Sequence, residues 1–147
     1  MLRRTLLGGA AVFALLWWGS SARPQDDKGY ETKLQNQARS LPKIRERILA
    51  ATGYDETSVE LKPGPHLMVV TVVNSKLLSG GGAARVDEAT VIASAVTQAI
   101  AADPAFADVD SLHVDYVRRD NEGKDTRKVH DIEFRKDPYG KFKHHVS

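Results

Sequence analysis

Two segments near the carboxyl end of the chain carry histidine and carboxylate side chains, which can transfer protons or bind cations. Residues 111–119 read SLHVDYVRR and residues 127–136 read RKVHDIEFRK. The alternation of polar and apolar residues predicts two β-strands. Residues 120–123 read DNEG and predict a hairpin turn, because Gly123 can adopt a left-handed conformation. We therefore expect these strands to pair in antiparallel fashion.

The register of this hairpin decides which side chains meet. Pairing across residues 120 and 124 places His113 opposite Asp131 and His130 opposite Val114. The two histidines would then lie on opposite faces of the sheet, where they cannot bind one metal ion. The chain has no cysteine, which excludes zinc–thiolate sites and thiol nucleophiles. We predict no metal site.

A cluster of four polar residues is expected on the sheet face that the helices leave open. Its members are His113, Asp115, Asp131 and Glu133. A histidine beside an aspartate could support acid–base chemistry if the pair lay in a cleft. No serine stands in a GxSxG turn, and nearby arginines could neutralise the acids in solvent. We predict that these four residues bind a partner or ligand, and we predict no catalytic residue.

A glycine-rich segment precedes a predicted helix and consists of Ser79, Gly80, Gly81 and Gly82. Backbone N–H groups at a helix N-terminus can hold a phosphate. The chain has neither GxxxxGK[ST] nor GxGxxG here, and Lys76 comes before the glycines. We predict a flexible surface loop and no cofactor.

The first 22 residues have the three parts of a secretory signal peptide. Arg3 and Arg4 are followed by the apolar run LLGGAAVFALLWW at residues 6–18 and by the small residues SSA at 20–22. This run is shorter than the ~20 residues that cross a bilayer. The alternative is an uncleaved membrane anchor, with Trp17 and Trp18 at the membrane interface. We expect the protein to be exported to the periplasm or secreted, or else to be anchored and facing outward.

The rest of the chain predicts one small α+β domain over residues 40–140, between a polar linker at 23–39 and a basic, histidine-containing tail at 141–147. Apolar periodicity predicts helices over 41–52 and 84–102 and strands over 57–62, 111–119 and 127–136. Residues 67–73 are apolar on both faces and rich in β-branched residues, which predicts a central strand. Ser40 is the expected N-cap of the first helix. The element order α-β-β-α-β-β predicts a two-layer sandwich. Its four-stranded, mainly antiparallel sheet would carry both helices on one face.

Composition narrows the functional classes. Arg3 and Arg4 are the only charged residues in 1–22, so the remainder has 19 Lys and Arg against 19 Asp and Glu. A neutral domain has no general attraction for nucleic acid, and membrane contact is expected only through an uncleaved N-terminal segment.

The first functional hypothesis is a non-catalytic accessory or binding module of the cell envelope that holds an unknown partner protein or small ligand. Val117 and Val129 are expected near each other on the open sheet face, where apolar residues would favour docking. The alternatives are a small envelope hydrolase that uses His113 with Asp131 or Asp115, and a membrane-tethered envelope protein.

Overall fold

The computed structural model describes residues 24–147, with side chains described from residue 28 onward. The signal peptide or anchor predicted for residues 1–22 lies outside the described residues. Two helices and five strands follow in chain order: α1 (Pro24–Thr52), β1 (Val59–Pro63), β2 (Leu67–Val73), α2 (Gly82–Ile100), β3 (Ser111–Arg119), β4 (Thr126–Lys136) and β5 (Phe142–His144). None of the helices in this described part is both long and apolar enough to span a membrane.

The strands form one mixed sheet in the order β1-β2-β3-β4-β5. The pairs β1–β2, β3–β4 and β4–β5 are antiparallel, whereas β2 and β3 are parallel. Helix α2 makes the crossover that a parallel pair requires. The predicted α+β class with two helices is confirmed.

The predicted number of four strands is wrong, because part of the expected tail forms β5. This strand is only three residues long, and Phe142 within it is 8% exposed and belongs to the core. Asp137 closes the preceding turn by accepting hydrogen bonds from the backbone N–H groups of Tyr139 and Lys141. So short and basic a segment shows no alternation long enough to predict a strand.

Both helices cover the same face of the sheet. Alternate residues of the three inner strands meet apolar residues of α1 and α2 in one core cluster, whose fully buried members include Ile44, Ile48, Met68, Val70, Ile92, Val96, Leu112, Val114 and Phe134. The opposite face is uncovered by any helix or strand among residues 24–147. This opposite face carries the predicted polar cluster.

The predicted linker over residues 23–39 is wrong for the described residues, because α1 already begins at Pro24. The Gln37 side chain is fully buried, and its Nε2 donates to the carbonyls of Ala105 (3.0 Å) and Gly64 (3.2 Å). Ser40 lies inside α1, and its hydroxyl donates to Asp103 Oδ2 instead of capping the helix. These partners are distant in sequence, so tertiary packing extends a helix that local apolar periodicity does not predict.

The glycine-rich segment is shorter as a loop than predicted. Residues Lys76–Ser79 form a 3₁₀ turn, and Gly82 is already the first residue of α2. The Arg85 Nη1 donates to the carbonyls of Leu77 (2.7 Å) and Gly80 (3.0 Å). The carbonyl oxygens of this segment therefore bind the guanidinium group of Arg85.

Replacement of Gln37 by alanine tests whether the early part of α1 is anchored. The change removes both hydrogen bonds and leaves the buried carbonyl of Ala105 and the partly buried carbonyl of Gly64 without this donor, so we expect the free energy of unfolding to fall by about 1–3 kcal/mol. Urea denaturation measures this loss. The matched control is Gln35→Ala on the exposed side of α1, which should stay within about 0.5 kcal/mol of the parent. Equal stability of the two variants would contradict the anchored helix.

Candidate functional site

The register of the β3–β4 hairpin differs from the predicted one. Asp115 pairs directly with Asp131, and His113 pairs with Glu133, so the prediction that His113 lies opposite Asp131 is wrong. The turn is one residue longer than assumed, because the backbone N–H of Asp120 donates to the carbonyl of residue 125. The register shifts again at a β-bulge between residues 116 and 117. These two irregularities move β4 by two residues relative to the predicted pairing.

The two strand histidines lie on opposite faces, as predicted. His130 pairs with Tyr116 and faces α2, where its Nδ1 accepts a hydrogen bond from Arg85 Nε at 3.1 Å. His113 faces the uncovered side of the sheet. They therefore belong to different environments.

The uncovered face brings three of the four predicted residues into contact. His113 Nδ1 lies 2.8 Å from Asp131 Oδ1. One donor atom each from His113, Asp115 and Asp131 lies within 4.8 Å of the others. Glu133 is the fourth predicted residue and turns away, since its Oε1 accepts a hydrogen bond from Arg135 Nε at 2.6 Å. We call His113, Asp115, Asp131 and Lys128 the outer cluster.

Lys128 is the member of the outer cluster that sequence reasoning missed. Its Nζ lies 2.8 Å from Asp115 Oδ2 and 3.8 Å from Asp131 Oδ2. Regular alternation through residues 127–136 assigns Lys128 to the opposite face from Asp131. A β-bulge reverses this assignment, and the sequence around it contains no glycine or proline from which a bulge could be predicted. The structure thus supplies a cation between two carboxylates that oppose each other directly.

Burial sets the electrostatics of the outer cluster. Asp115 is 8% exposed, and its Oδ1 has no hydrogen-bond partner among the described residues. Burial raises the pKa of Asp115, the Lys128 ammonium opposes this effect, and the Asp131 carboxylate adds to it. The ionised form of Asp115 is therefore costly and depends on the ammonium of Lys128.

The apolar part of the uncovered face also differs from the prediction. Val117 is only 5% exposed, whereas Val129 is 41% exposed at the bulge, so the two do not form a joint exposed patch. The apolar side chains that remain accessible beside the cluster belong to Leu67, which is 38% exposed, and to half-buried Val69, which pairs with His113.

The surroundings of the outer cluster are open. Asp131 and Glu133 line a surface depression of about 340 Å³ together with the chain's carboxyl end, and His113 does not contribute to it. No side-chain hydroxyl in the described part of the chain hydrogen-bonds to His113. The hydrolase hypothesis needs a cleft and a nucleophile at His113, and these contacts supply neither.

A second polar network lies where β2 and β3 end, and sequence reasoning did not identify it. Glu88 Oε1 accepts hydrogen bonds from the hydroxyls of Tyr54 (2.7 Å) and Tyr116 (2.9 Å). The Tyr54 hydroxyl also lies 2.6 Å from the hydroxyl of Ser75, which is 5% exposed. The position of Tyr116 on the core-facing side of β3 was the available signal, because a buried phenol requires a partner.

This network keeps its phenols protonated. Burial raises the pKa of Tyr54 to about 12, and hydrogen bonding and charge from Glu88 act in the same direction. Burial likewise raises the pKa of Tyr116. Both phenols are thus hydrogen-bond donors at neutral pH, and they join the loop that follows α1 to α2 and β3 through one carboxylate.

The raised pKa of Tyr54 predicts a pH dependence of stability. Its neutral form is favoured in the folded protein, so the contribution is complete below the unfolded pKa of about 10 and is lost as the pH rises toward about 12. Urea midpoints measured across this range should fall less steeply for Tyr54→Phe than for the parent, with Tyr116 maintaining part of the slope. The control Tyr139→Phe removes an 87% exposed phenol and should leave the slope unchanged. Identical slopes for all three proteins would contradict the network.

Removal of the Lys128 ammonium tests the outer cluster. Lys128→Met leaves two carboxylates side by side without their cation, so we expect the free energy of unfolding at neutral pH to fall by about 1–2 kcal/mol. Because the folded pKa of Asp115 is raised, the loss should shrink as acid protonates Asp115. Urea denaturation at neutral and acidic pH measures both effects.

The control for this experiment is Lys124→Met, since Lys124 pairs with Glu122 and both side chains are strongly exposed. It should change stability by less than about 0.5 kcal/mol. A second variant, Asp115→Asn in the Lys128→Met background, should restore part of the lost stability. A loss that stays the same in acid, or that Asp115→Asn fails to reduce, would argue against the shared cation.

Comparisons with known proteins supply no relative for this chain: no protein-family model, curated protein or solved structure matches it.

Proposed function

We propose that this protein is an exported, non-catalytic binding module of the cell envelope that holds a partner protein against the uncovered face of its sheet. The outer face, as we use the term below, comprises the outer cluster together with Leu67, Val69 and Glu133. The observation that carries the proposal is that both helices cover one side of the sheet and leave this polar and apolar surface accessible.

The filled core favours a partner protein over a small ligand. Side chains at the centre of the sandwich, including Met68, Val70, Leu112 and Val114, are all 0% exposed. Several depressions in the described structure are open to the surface, and one of them holds about 510 Å³ near the carboxyl end of α2. A ligand enclosed between helices and sheet would need an interior chamber, whereas a protein partner needs an accessible face.

The chemistry of the outer face indicates what the partner presents. Leu67 and Val69 form an apolar strip on β2. The acidic groups of Asp131 and Glu133 lie one strand away on β4, with β3 between them and the strip. Glu133 is paired with the 61% exposed side chain of Arg135, an ion pair that a competing cation can replace at little cost. We therefore propose a partner surface with an apolar side chain beside a lysine or arginine.

The export component of the proposal depends on the sequence of residues 1–22. Two arginines, an apolar run and a small-residue site in this order favour secretion and cleavage after Ala22. The intact mass of the protein recovered from the cell envelope distinguishes a cleaved chain from a retained anchor.

Site-specific crosslinking tests the docking face. A photoreactive residue at Leu67 or Glu133 should capture one and the same partner in envelope preparations, because both positions lie on the outer face. The matched control is the same photoreactive residue at Thr90, which is exposed on α2 at the opposite side of the molecule. We expect no such crosslink there.

Affinity for the purified partner then provides the decisive measurement. Glu133→Lys reverses one charge on the outer face and should weaken binding by at least about tenfold, the effect of placing like charges together at an interface. Asp87→Lys makes the same change on exposed α2 and should leave the affinity unchanged. Equal affinity of both variants, or crosslinking from Thr90 as readily as from Leu67, would overturn the docking face.

A further inference from the structure

The outer cluster has the donor set of a metal site. His113, Asp115 and Asp131 each contribute one nitrogen or oxygen donor, and these three atoms lie within 4.8 Å of one another. A tetrahedral ion with bonds of about 2.0–2.1 Å needs donors about 3.3 Å apart. The His113–Asp131 contact at 2.8 Å is shorter than this distance, and the other donor separations are at most 4.8 Å. Movements of the donor atoms by roughly 1–2 Å, through side-chain rotation, would therefore give a tetrahedral arrangement.

A second feature of the same place is an unsatisfied buried oxygen. Asp115 is 8% exposed, and its Oδ1 accepts no hydrogen bond from any described residue. Its neighbour across the strands is the carboxylate of Asp131, so a negative charge faces a negative charge. Directly opposed like charges destabilise a sheet unless a cation lies between them.

The cation that the chain itself provides comes from a half-exposed side chain. Lys128 reaches Asp115 Oδ2 from a side chain that is 52% exposed, and it engages neither Asp115 Oδ1 nor His113. A half-exposed ammonium loses side-chain entropy when it is held in one geometry, and this cost offsets part of its attraction for the two carboxylates. A divalent ion would replace these two ion pairs with three metal–ligand bonds.

We propose that His113, Asp115 and Asp131 bind one divalent transition-metal ion of the zinc class, and that the Lys128 ammonium leaves when the ion enters. Imidazole favours zinc and similar ions over magnesium or calcium, and carboxylates complete a three-ligand site that leaves one position for water. The site lies on two paired strands of the sheet, which fixes the spacing of its ligands. It does not depend on the partner protein proposed above.

Titration of the purified protein with Zn²⁺ alone tests this site by calorimetry. The parent for all comparisons carries His144→Ala and His145→Ala, because this histidine pair near the carboxyl end could bind zinc by itself. We expect one ion per chain in this parent. His113→Ala, Asp115→Asn and Asp131→Asn should each weaken binding by at least about tenfold, since even groups that only support ligands contribute 10- to 100-fold.

Two further variants separate ligation from general attraction. Glu133→Gln removes a charge from the same face without removing a ligand and should leave the affinity unchanged. Lys128→Met removes the competing ammonium and should tighten binding severalfold. Circular dichroism establishes which variants are folded, and the Asp131 and His113 variants suffice if Asp115→Asn unfolds.

Paramagnetic Co²⁺ gives an independent readout, because it should broaden the ring resonances of His113 in NMR spectra and leave those of His66 sharp. The proposal is overturned if the parent binds no Zn²⁺. It is also overturned if folded ligand variants bind as tightly as the parent, or if Glu133→Gln weakens binding as much as they do.

Discussion

The parallel pairing of β2 with β3 is the constraint on which the arrangement of this molecule depends. Parallel neighbours need a crossover, and α2 makes it above the same face that α1 covers. β3 thereby becomes the central strand of five and is paired on both sides. Its core-facing residues are enclosed by the helices, and the residues on its other side, which include His113 and Asp115, lie in the middle of the uncovered face.

A central position gives Asp115 properties that a carboxylate at a sheet edge lacks. Neighbouring strands bury it from both sides, and the β4 register places Asp131 directly across from it. Burial and like charge act together to raise its pKa, while among the residues that the structure describes Lys128 supplies the opposing charge. The same crowding underlies both the stability effect expected for Lys128 and the proposed metal site.

Local sequence patterns predict the elements of this fold and its class well, because β3, β4 and α2 each show several repeats of their own periodicity and β2 is a continuous run of apolar, mostly β-branched residues. These patterns fail where contacts between residues distant in sequence determine the local structure. Gln37 is buried only because the carbonyls of Gly64 and Ala105 lie beside it, and Phe142 forms a strand only because the core accepts its ring. The alternation in β3 and β4 correctly placed four site residues on one face. The longer turn and the bulge at Val129 give these residues cross-strand partners other than the predicted ones, and they bring Lys128 onto the same face.

The central claim is that Asp115 and Asp131 are crowded together on the uncovered face and share the charge of Lys128. Carbon-13 NMR titration of the Asp115 carboxyl group tests it most directly, in the parent and in Lys128→Met. We predict that the pKa of Asp115 lies above the ordinary value for aspartate and rises further when the ammonium is removed. An ordinary or lowered pKa that does not respond to Lys128→Met would contradict the account.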